Sequence, residues 1–357
     1  MTGPRNPIAW PGAPLALGSA LLFGASTPFA KLLLGQGASP WLLAGLLYLG
    51  SGLGLAAVAM LRWSLGIVSN EAPLRRADVP WLFAIILCGG VIGPLLLLFG
   101  LAETSASSAA LLLNLEGLAT MAIAWMVFGE NADRRILTGA AAILAGALVL
   151  SWHGGAAHVG WGAVLIAGAC LAWGIDNNLT RKLSGADPLQ IAALKGVAAG
   201  AVNLALALAG GAVLPHGFVI AGAGTIGFLG YGVSLVLFVL ALRQLGAART
   251  AAYFSTAPFI GAALGIAVFH EPVTLQLAAA AVLMGIGLWL HLAERHAHAH
   301  VHDDQAHEHR HVHDAHHRHD HGPGDPAGEP HSHWHRHAPL AHSHPHTPDL
   351  HHRHGHG

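Results

Sequence analysis

The sequence is poor in charged residues. Only 10% of its 357 residues are Asp, Glu, Lys or Arg, whereas 54% are hydrophobic, and an ordinary soluble domain carries about 25% charged residues. This shortage excludes a typical soluble domain and indicates a chain that folds in lipid. The formal net charge is -1, which gives no reason to expect a nucleic-acid partner.

Cysteine and catalytic motifs are also scarce. Cys88 and Cys170 each lie within an apolar run, so the sequence offers neither a disulfide framework nor a CxxC metal site. It contains no GxxxxGK phosphate loop, no HExxH zinc motif and no GxSxG nucleophile elbow. We therefore expect no enzyme, no ATP-driven pump and no required cofactor.

Long apolar windows are abundant instead. A membrane-spanning helix needs about 20 mainly apolar residues, and ten such windows can be marked between breaks of charge, Gly and Pro. The first is too long for the apolar core of a signal peptide, so we interpret it as an uncleaved helix. The sequence predicts an all-α integral membrane protein with ten spans, at 15–34, 41–61, 81–101, 105–128, 136–152, 160–180, 189–209, 218–242, 250–269 and 273–292.

Basic residues between these windows predict the orientation, because Lys and Arg near helix ends stay on the cytoplasmic side. Lys31 is the one basic residue near an odd-numbered gap. Every even-numbered gap is basic, with Arg62, Arg75, Arg76, Arg134, Arg135, Arg181, Lys182, Arg243 and Arg249. We expect a multi-pass protein of the cytoplasmic (inner) membrane with both termini in the cytoplasm.

The two halves resemble each other. The segment from Met126 to Glu130 is similar to that from Ala267 to Glu271, about 140 residues later. Each half has five spans, an odd number, so the second must be inserted upside down, as in many secondary transporters. The predicted organisation is a cytoplasmic N-terminus (1–14), a first repeat (15–152), a second repeat (160–292) and a tail (293–357).

Three short stretches carry a family resemblance. They are GASTPFAK ending at Lys31, TSASSAA ending at Ala110 and FGE ending at Glu130. With the 5+5 arrangement, they resemble the drug/metabolite transporter superfamily, EamA type. The resemblance implies a ten-helix carrier that moves metabolites or drugs outward. The sequence departs from the pattern at His270, which takes the place of Gly129 of the first copy, and in its tail.

Few ionisable residues lie inside the predicted spans. A charge at the bilayer centre costs about 2.5 to 3.5 kcal/mol on insertion scales, so each is a functional candidate. Glu116, with Asn114 close in sequence, lies near the middle of the fourth span. We interpret Glu116 as a proton or cation coupling group. The alternative is a protonated carboxyl that hydrogen-bonds a neighbouring helix.

The sixth span contains the most polar triplet, Asp176, Asn177 and Asn178. Asp176 and Lys195 of the seventh span each lie about seven residues, or about 10 Å, from the turn that joins the two spans. An ion pair between them is our hypothesis, because either charge alone would be costly. A purely structural pair is the alternative. Asparagine side chains that do not face solute would bond neighbouring helices.

Aromatic residues could line a cavity for an organic solute. The candidates are Trp173, Tyr231 and Tyr253. Aromatic side chains in membrane proteins also pack in the interior or mark the membrane interface, so these three are weaker candidates than the ionisable residues.

The tail is rich in histidine, with 23 of the 28 histidines after Glu294. Its lack of apolar residues predicts disorder. Imidazole suits nickel, zinc and copper, and the ligands we single out are His296, His298, His300, His302, His331, His333, His335 and His337. The tail could be a metal buffer or sensor that gates the transporter, a device that delivers metal as substrate, or an extension without a role in transport.

Together these features predict a secondary transporter that exports a small metabolite or drug-like solute by alternating access. Its expected partners are the lipid bilayer, the solute and, through the tail, transition-metal ions; a homodimer stays open. One alternative is a carrier of divalent nickel, zinc or cobalt that uses the tail as collector. Another is a membrane-anchored protein for metal buffering or sensing.

Overall fold

The computed structural model describes residues 12–67, 74–128, 134–152, 160–183, 186–245, 250, 253–292, 296–302, 305–311, 331–337 and 340–346. The helices discussed below are α1 (Gly12–Gly35), α2 (Pro40–Ser64), α3 (Val79–Ile85), α4 (Gly93–Glu103), α5 (Ala106–Leu112), α6 (Asn114–Phe128), α7 (Arg134–Ser151), α8 (Trp161–Leu183), α9 (Pro188–Ala209), α10 (Gly217–Ile226), α11 (Ser234–Leu245), α12 (Ala257–Phe269) and α13 (Leu275–Leu292).

The predicted all-helical membrane fold is confirmed. Within the described residues, eight helical segments are long and apolar enough to cross a membrane, and the shorter apolar helices α12 and α13 bring the number to ten. The boundaries differ by a few residues from the sequence windows. The ninth span is divided: Thr250, Tyr253 and Phe254 are helical, Ser255 and Thr256 form a turn, and α12 then begins at Ala257.

The two repeats interlock through equivalent contacts. The first helix of repeat one, α1, packs on α11 and α12, which belong to the third and fourth spans of repeat two. The first helix of repeat two, α8, packs on α4 and α6, from the third and fourth spans of repeat one. The pairs α2 with α9 and α7 with α13 join equivalent helices. The two repeats therefore contact each other through equivalent helices.

Small residues allow α2 and α9 to pack closely. A Cβ added at Gly52 would overlap the backbone of Gly196 and Val197, and one at Gly200 would overlap Leu49. Membrane helices gain stability from such close approach, since lipid provides no hydrophobic drive between helices. Gly196 and Gly200, which lie four residues apart, are thus packing residues.

Besides the turn at Ser255 and Thr256 in the ninth span, three further interruptions lie within the described spans. A π-helical segment, Ile86–Ile92, separates α3 from α4, and another, Gly227–Val233, separates α10 from α11. These two segments lie about 140 residues apart, at equivalent positions of the repeats. The fourth span breaks at Leu113, between α5 and α6. Interruptions inside spans are frequent at functional sites.

The disorder predicted for the tail from its composition stays a prediction. The structure describes four strands, β1 (His296–His302), β2 (Gln305–His311), β3 (His331–His337) and β4 (Leu340–His346). β1 pairs with β4 and β2 pairs with β3, both antiparallel. Histidine at every second position of these segments matches the two-residue repeat of a strand.

Candidate functional site

The side chains of the polar triplet of α8 contact two different helices. Successive residues of an α-helix are about 100° apart around the axis. Asp176 therefore faces α9, whereas Asn177 and Asn178 face α6, as their hydrogen bonds show. The triplet links two different helices to α8 at one depth.

Asp176 and Lys195 form the ion pair that the sequence predicts. Lys195 Nζ lies 2.5 Å from Asp176 Oδ2, and the side chains are 19% and 6% exposed. The hydroxyl of Thr180, one turn along α8, donates to Asp176 Oδ1 at 3.3 Å. The contact is confirmed, and its role in transport stays a prediction.

Gly89 in the first π-helical segment lies against this pair. A Cβ at Gly89 would overlap the Asp176 carboxylate, so glycine is required for the carboxylate to sit there. The Gly89 carbonyl accepts hydrogen bonds from Tyr48 Oη at 2.6 Å and from Trp173 Nε1 at 3.0 Å. Trp173 is therefore buried with its indole N–H bound to backbone, and its polar atom does not face a solute.

Glu116 is joined to α8 through Asn177. Asn177 Nδ2 donates to Glu116 Oε1 at 3.0 Å and to Thr120 Oγ1 at 3.2 Å. Glu116 lies in the first turn of α6, directly after the break at Leu113. A negative charge in the first turn of a helix is generally favoured by the helix dipole.

The remaining asparagines have bonds typical of structural residues. Asn178 Nδ2 donates to the backbone carbonyls of Thr120 and Gly174, at 3.0 and 2.8 Å. Asn114 Nδ2 donates to the Leu111 carbonyl at 2.8 Å and lies 3.8 Å from Met284 Sδ. Asn114 thus faces α13 and lies apart from the Glu116 contacts, although the two residues are neighbours in sequence.

An aromatic contact connects the repeats beside this region. The ring centroids of Tyr48 and Tyr231 are 5.6 Å apart, and Tyr231 also contacts Phe23 at 6.1 Å. Tyr253 is half-buried, and its backbone carbonyl accepts a hydrogen bond from Thr256. We name Glu116, Thr120, Asp176, Asn177 and Lys195 the polar centre. Tyr48 contacts both Gly89, which lies against Asp176, and Tyr231 of the second repeat.

A second constellation, which sequence reasoning missed, holds the turn between α4 and α5. The Glu271 carboxylate accepts the backbone N–H groups of Ala106 and Ser107, at 2.7 and 2.9 Å. Lys31 Nζ donates to the Leu101 carbonyl at 2.7 Å. The negatively charged Glu271 side chain thus lies at the start of α5, and the positively charged Lys31 side chain lies near the end of α4. Both placements are favoured by the helix dipoles. We name these contacts the Glu271 clamp.

The backbone before Glu271 explains its placement. His270 adopts a left-handed conformation, φ 53° and ψ 38°, at the end of α12. Glycine is the usual residue there, and Gly129 occupies the equivalent position in the first repeat. In the sequence, the similarity between the segments ending at Glu130 and Glu271 was the feature that could have indicated a role for Glu271. The surroundings of Glu130 lie outside the described residues.

The predicted metal ligands of the tail lie on strands. His296, His298, His300 and His302 are on β1, and His331, His333, His335 and His337 are on β3. Within the part of the chain searched for grouped ligands, no set of three His, Cys, Asp or Glu side chains could hold a metal ion. Cys88 and Cys170 are free thiols in the membrane part.

Comparisons with known proteins agree with this architecture. The sequence profile of the EamA-like transporter family matches residues 10–152 and 160–293. A protein of Methanothermobacter thermautotrophicus named as an uncharacterized transporter is 27% identical over 228 residues, or 60% of this chain and 65% of that protein. This chain thus spans slightly less than two thirds of that relative. One solved crystal structure matches with a TM-score of 0.58 at 19% identity, over 78% of this chain and 95% of the other, which indicates a shared fold.

Proposed function

Because this chain belongs to the EamA-like transporter family, we propose that it exports a small metabolite or drug-like solute by alternating access of its two repeats. Family membership makes the chain a multi-pass membrane transporter. The solute class, the outward direction and the mechanism are the proposal.

The observation that carries the proposal is the polar centre. Glu116, Asp176 and Lys195 come from three different spans, and α8 connects them. Ionisable groups in a membrane interior are costly and tend to mark solute or ion pathways. Their location between α6 of the first repeat and α8 and α9 of the second matches the repeat interface at which secondary transporters bind solute.

Glu116 is the proposed coupling group. As a carboxylate it accepts the Asn177 amide N–H. A proton on the carboxylate would cancel its charge and turn one oxygen into a donor, so the contact would weaken and the Asn177 amide would become available to solute. Proton uptake on one side of the membrane and release on the other would then accompany solute movement in the opposite direction.

The Glu271 clamp is the proposed gate. It links the α12 to α13 connection of the second repeat to the α4 to α5 turn of the first. With both termini in the cytoplasm of the proposed inner-membrane orientation, this turn lies on the extracytoplasmic side. Opening on that side requires the two backbone bonds to Glu271 to break. Glu130 corresponds to Glu271 in the repeat and is the candidate for the opposite gate.

Metabolite profiling tests the proposal. Cells would express the intact chain, Glu116→Gln, or the matched control Glu103→Gln, which alters an exposed carboxylate at the end of α4. With equal amounts in the membrane, we expect one solute class to accumulate in the medium for the intact chain and Glu103→Gln but not for Glu116→Gln.

The same cells would be analysed for nickel, zinc and cobalt. A change in metal content that disappears with Glu116→Gln would replace the organic solute by a metal ion as cargo. Identical profiles for all three chains would contradict the proposed role of Glu116.

A further inference from the structure

The carboxamide of Asn203, on α9, is only half used in the described part of the chain. Asn203 is 0% exposed, and its side-chain oxygen Oδ1 accepts no hydrogen bond from any described residue. Its Nδ2 donates to the Gly90 carbonyl of the first π-helical segment at 2.9 Å. Because a carbonyl can only accept, this bond fixes the orientation of the amide and leaves the oxygen unpaired. A buried acceptor without a donor destabilises the state in which it occurs.

The crossing of α2 and α9 shows which residues of the two repeats correspond. A Cβ added at Gly52 would overlap Val197, and one added at Gly200 would overlap Leu49. The two contacts are equivalent, with Gly200 in the place of Gly52 and Val197 in the place of Leu49. Corresponding residues of these two helices therefore lie 148 positions apart.

By this correspondence, the counterpart of Asn203 in the first repeat is Leu55. Leu55 is 2% exposed, and a Cβ added at Gly232 of the second π-helical segment would lie 3.3 Å from its Cγ. Each residue thus packs against the π-helical segment of the other repeat, Asn203 at Gly90 and Leu55 at Gly232. Since leucine fills the position in one repeat, the packing itself does not require an amide.

Asn203 lies between the polar centre and the far end of α9. It follows Lys195 by eight residues, or about 12 Å of helix, and precedes the last residue, Ala209, by six residues, or about 9 Å. In the proposed orientation this end of α9 is extracytoplasmic. The Glu271 clamp on that side is closed in this structure, and Asn203 is buried in the same state.

We propose that Asn203 is a solute-binding residue of the state that is open to the extracytoplasmic side, and that its Oδ1 accepts a hydrogen bond from the solute there. This role rests on the alternating access proposed as the function of the chain. An acceptor that is unpaired in the closed state and paired with solute in the open state favours the open state when solute is bound. The solute must then carry an N–H or O–H donor, such as an ammonium, amide or hydroxyl group.

Cysteine labelling tests the accessibility of this position without knowledge of the solute. Asn203→Cys, Leu55→Cys and Leu214→Cys would each be made in a chain whose two native cysteines are replaced by alanine. Membrane vesicles would be treated from either side with a thiol reagent that does not cross the bilayer. Leu214 lies beyond the end of α9 and is 55% exposed, so the side from which Leu214→Cys reacts defines the side of interest.

We expect Asn203→Cys to react from the same side as Leu214→Cys, more slowly because the open state is only part of the population. Leu55→Cys should react only from the opposite side, since the second repeat is inverted relative to the first. Failure of Asn203→Cys to react, or reaction from the side that labels Leu55→Cys, would overturn the proposal.

Asn203→Leu separates solute binding from a structural role. The midpoint of unfolding in SDS should stay unchanged or rise, because the unpaired oxygen is removed and one hydrogen bond between membrane helices contributes little. Export of the solute class that the intact chain releases should fall at least tenfold, and the matched control Leu55→Met should change neither property.

Two results with Asn203→Leu would contradict the proposal. A clearly lower midpoint would show that the amide is structural, and a stable variant that exports at the rate of the intact chain would show that the solute does not use it. If the intact chain exports no solute, the proposed function fails, and the labelling result still decides whether Asn203 becomes accessible as we propose.

Discussion

Removal of one partner of the Asp176 and Lys195 ion pair should destabilise the protein more than removal of both. The side chains are 6% and 19% exposed, so neither charge is well solvated when it is alone. Loss of one partner of a buried pair typically costs about 3 to 5 kcal/mol, whereas replacement of both by neutral residues is often close to neutral. Lys195 retains some exposure, so the lower end of this range applies to Asp176→Asn.

The assay is reversible unfolding of the purified protein in mixed micelles with increasing SDS. Asp176→Asn and Lys195→Met should each lower the free energy of unfolding by about 3 kcal/mol or more. The double variant should be more stable than either single variant. If the destabilisation of the double variant equals the sum of the two single destabilisations within about 0.5 kcal/mol, the two charges do not interact. That result would refute the reasoning.

Transport by the double variant distinguishes a structural pair from one that acts in transport. If the double variant is stable and still transports solute, the pair is structural. If it is stable and inactive, the pair contacts the solute or responds to it.

Further predictions concern single positions. His270→Gly should raise the free energy of unfolding by about 1 kcal/mol, because the left-handed conformation costs a non-glycine residue about that much; a decrease would contradict the conformation. Glu271→Gln should lower the free energy of unfolding by about 1 to 2 kcal/mol, because one charged hydrogen-bond acceptor is lost. The α4 to α5 turn should then open more often, so cysteines placed in it should be alkylated faster. Gly52→Val should cost about 1 to 3 kcal/mol by separation of α2 from α9, whereas Gly224→Ala, whose added Cβ would have no other atom within 4 Å, should not destabilise; equal effects of the two would refute the packing argument.

The membrane spans and the ion pair could be predicted because they follow from one-dimensional properties. A run of about 20 apolar residues is sufficient to indicate a span. The depth of Asp176 and Lys195 follows from the residue count to a common turn, since each residue advances a helix by 1.5 Å.

The direction of side chains at interrupted helices could not be predicted in this way. The break at Leu113 rotates Asn114 toward α13 and leaves Glu116 at a helix start, whereas a continuous helix would keep a fixed angle between them. In the π-helical segment, the Gly89 carbonyl accepts hydrogen bonds from the side chains of Tyr48 and Trp173. Such partners come from distant parts of the chain.

The Glu271 clamp and the tail strands depend on long-range pairing. Glu271 lies 164 and 165 residues from its partners, and nothing local indicates that its carboxylate meets the start of α5. In the tail, the alternation of histidine matches the two-residue period of a strand, a property that composition does not show.

The most direct test of proton-coupled alternating access uses the solute that profiling identifies. Purified protein in liposomes would be assayed both for exchange of labelled solute at equal pH and for uptake driven by a pH gradient. We predict that the intact chain performs both reactions, and that Glu116→Gln retains exchange but loses the uptake driven by the gradient. Gradient-driven uptake by Glu116→Gln at the rate of the intact chain would contradict the assignment of Glu116 as the coupling group.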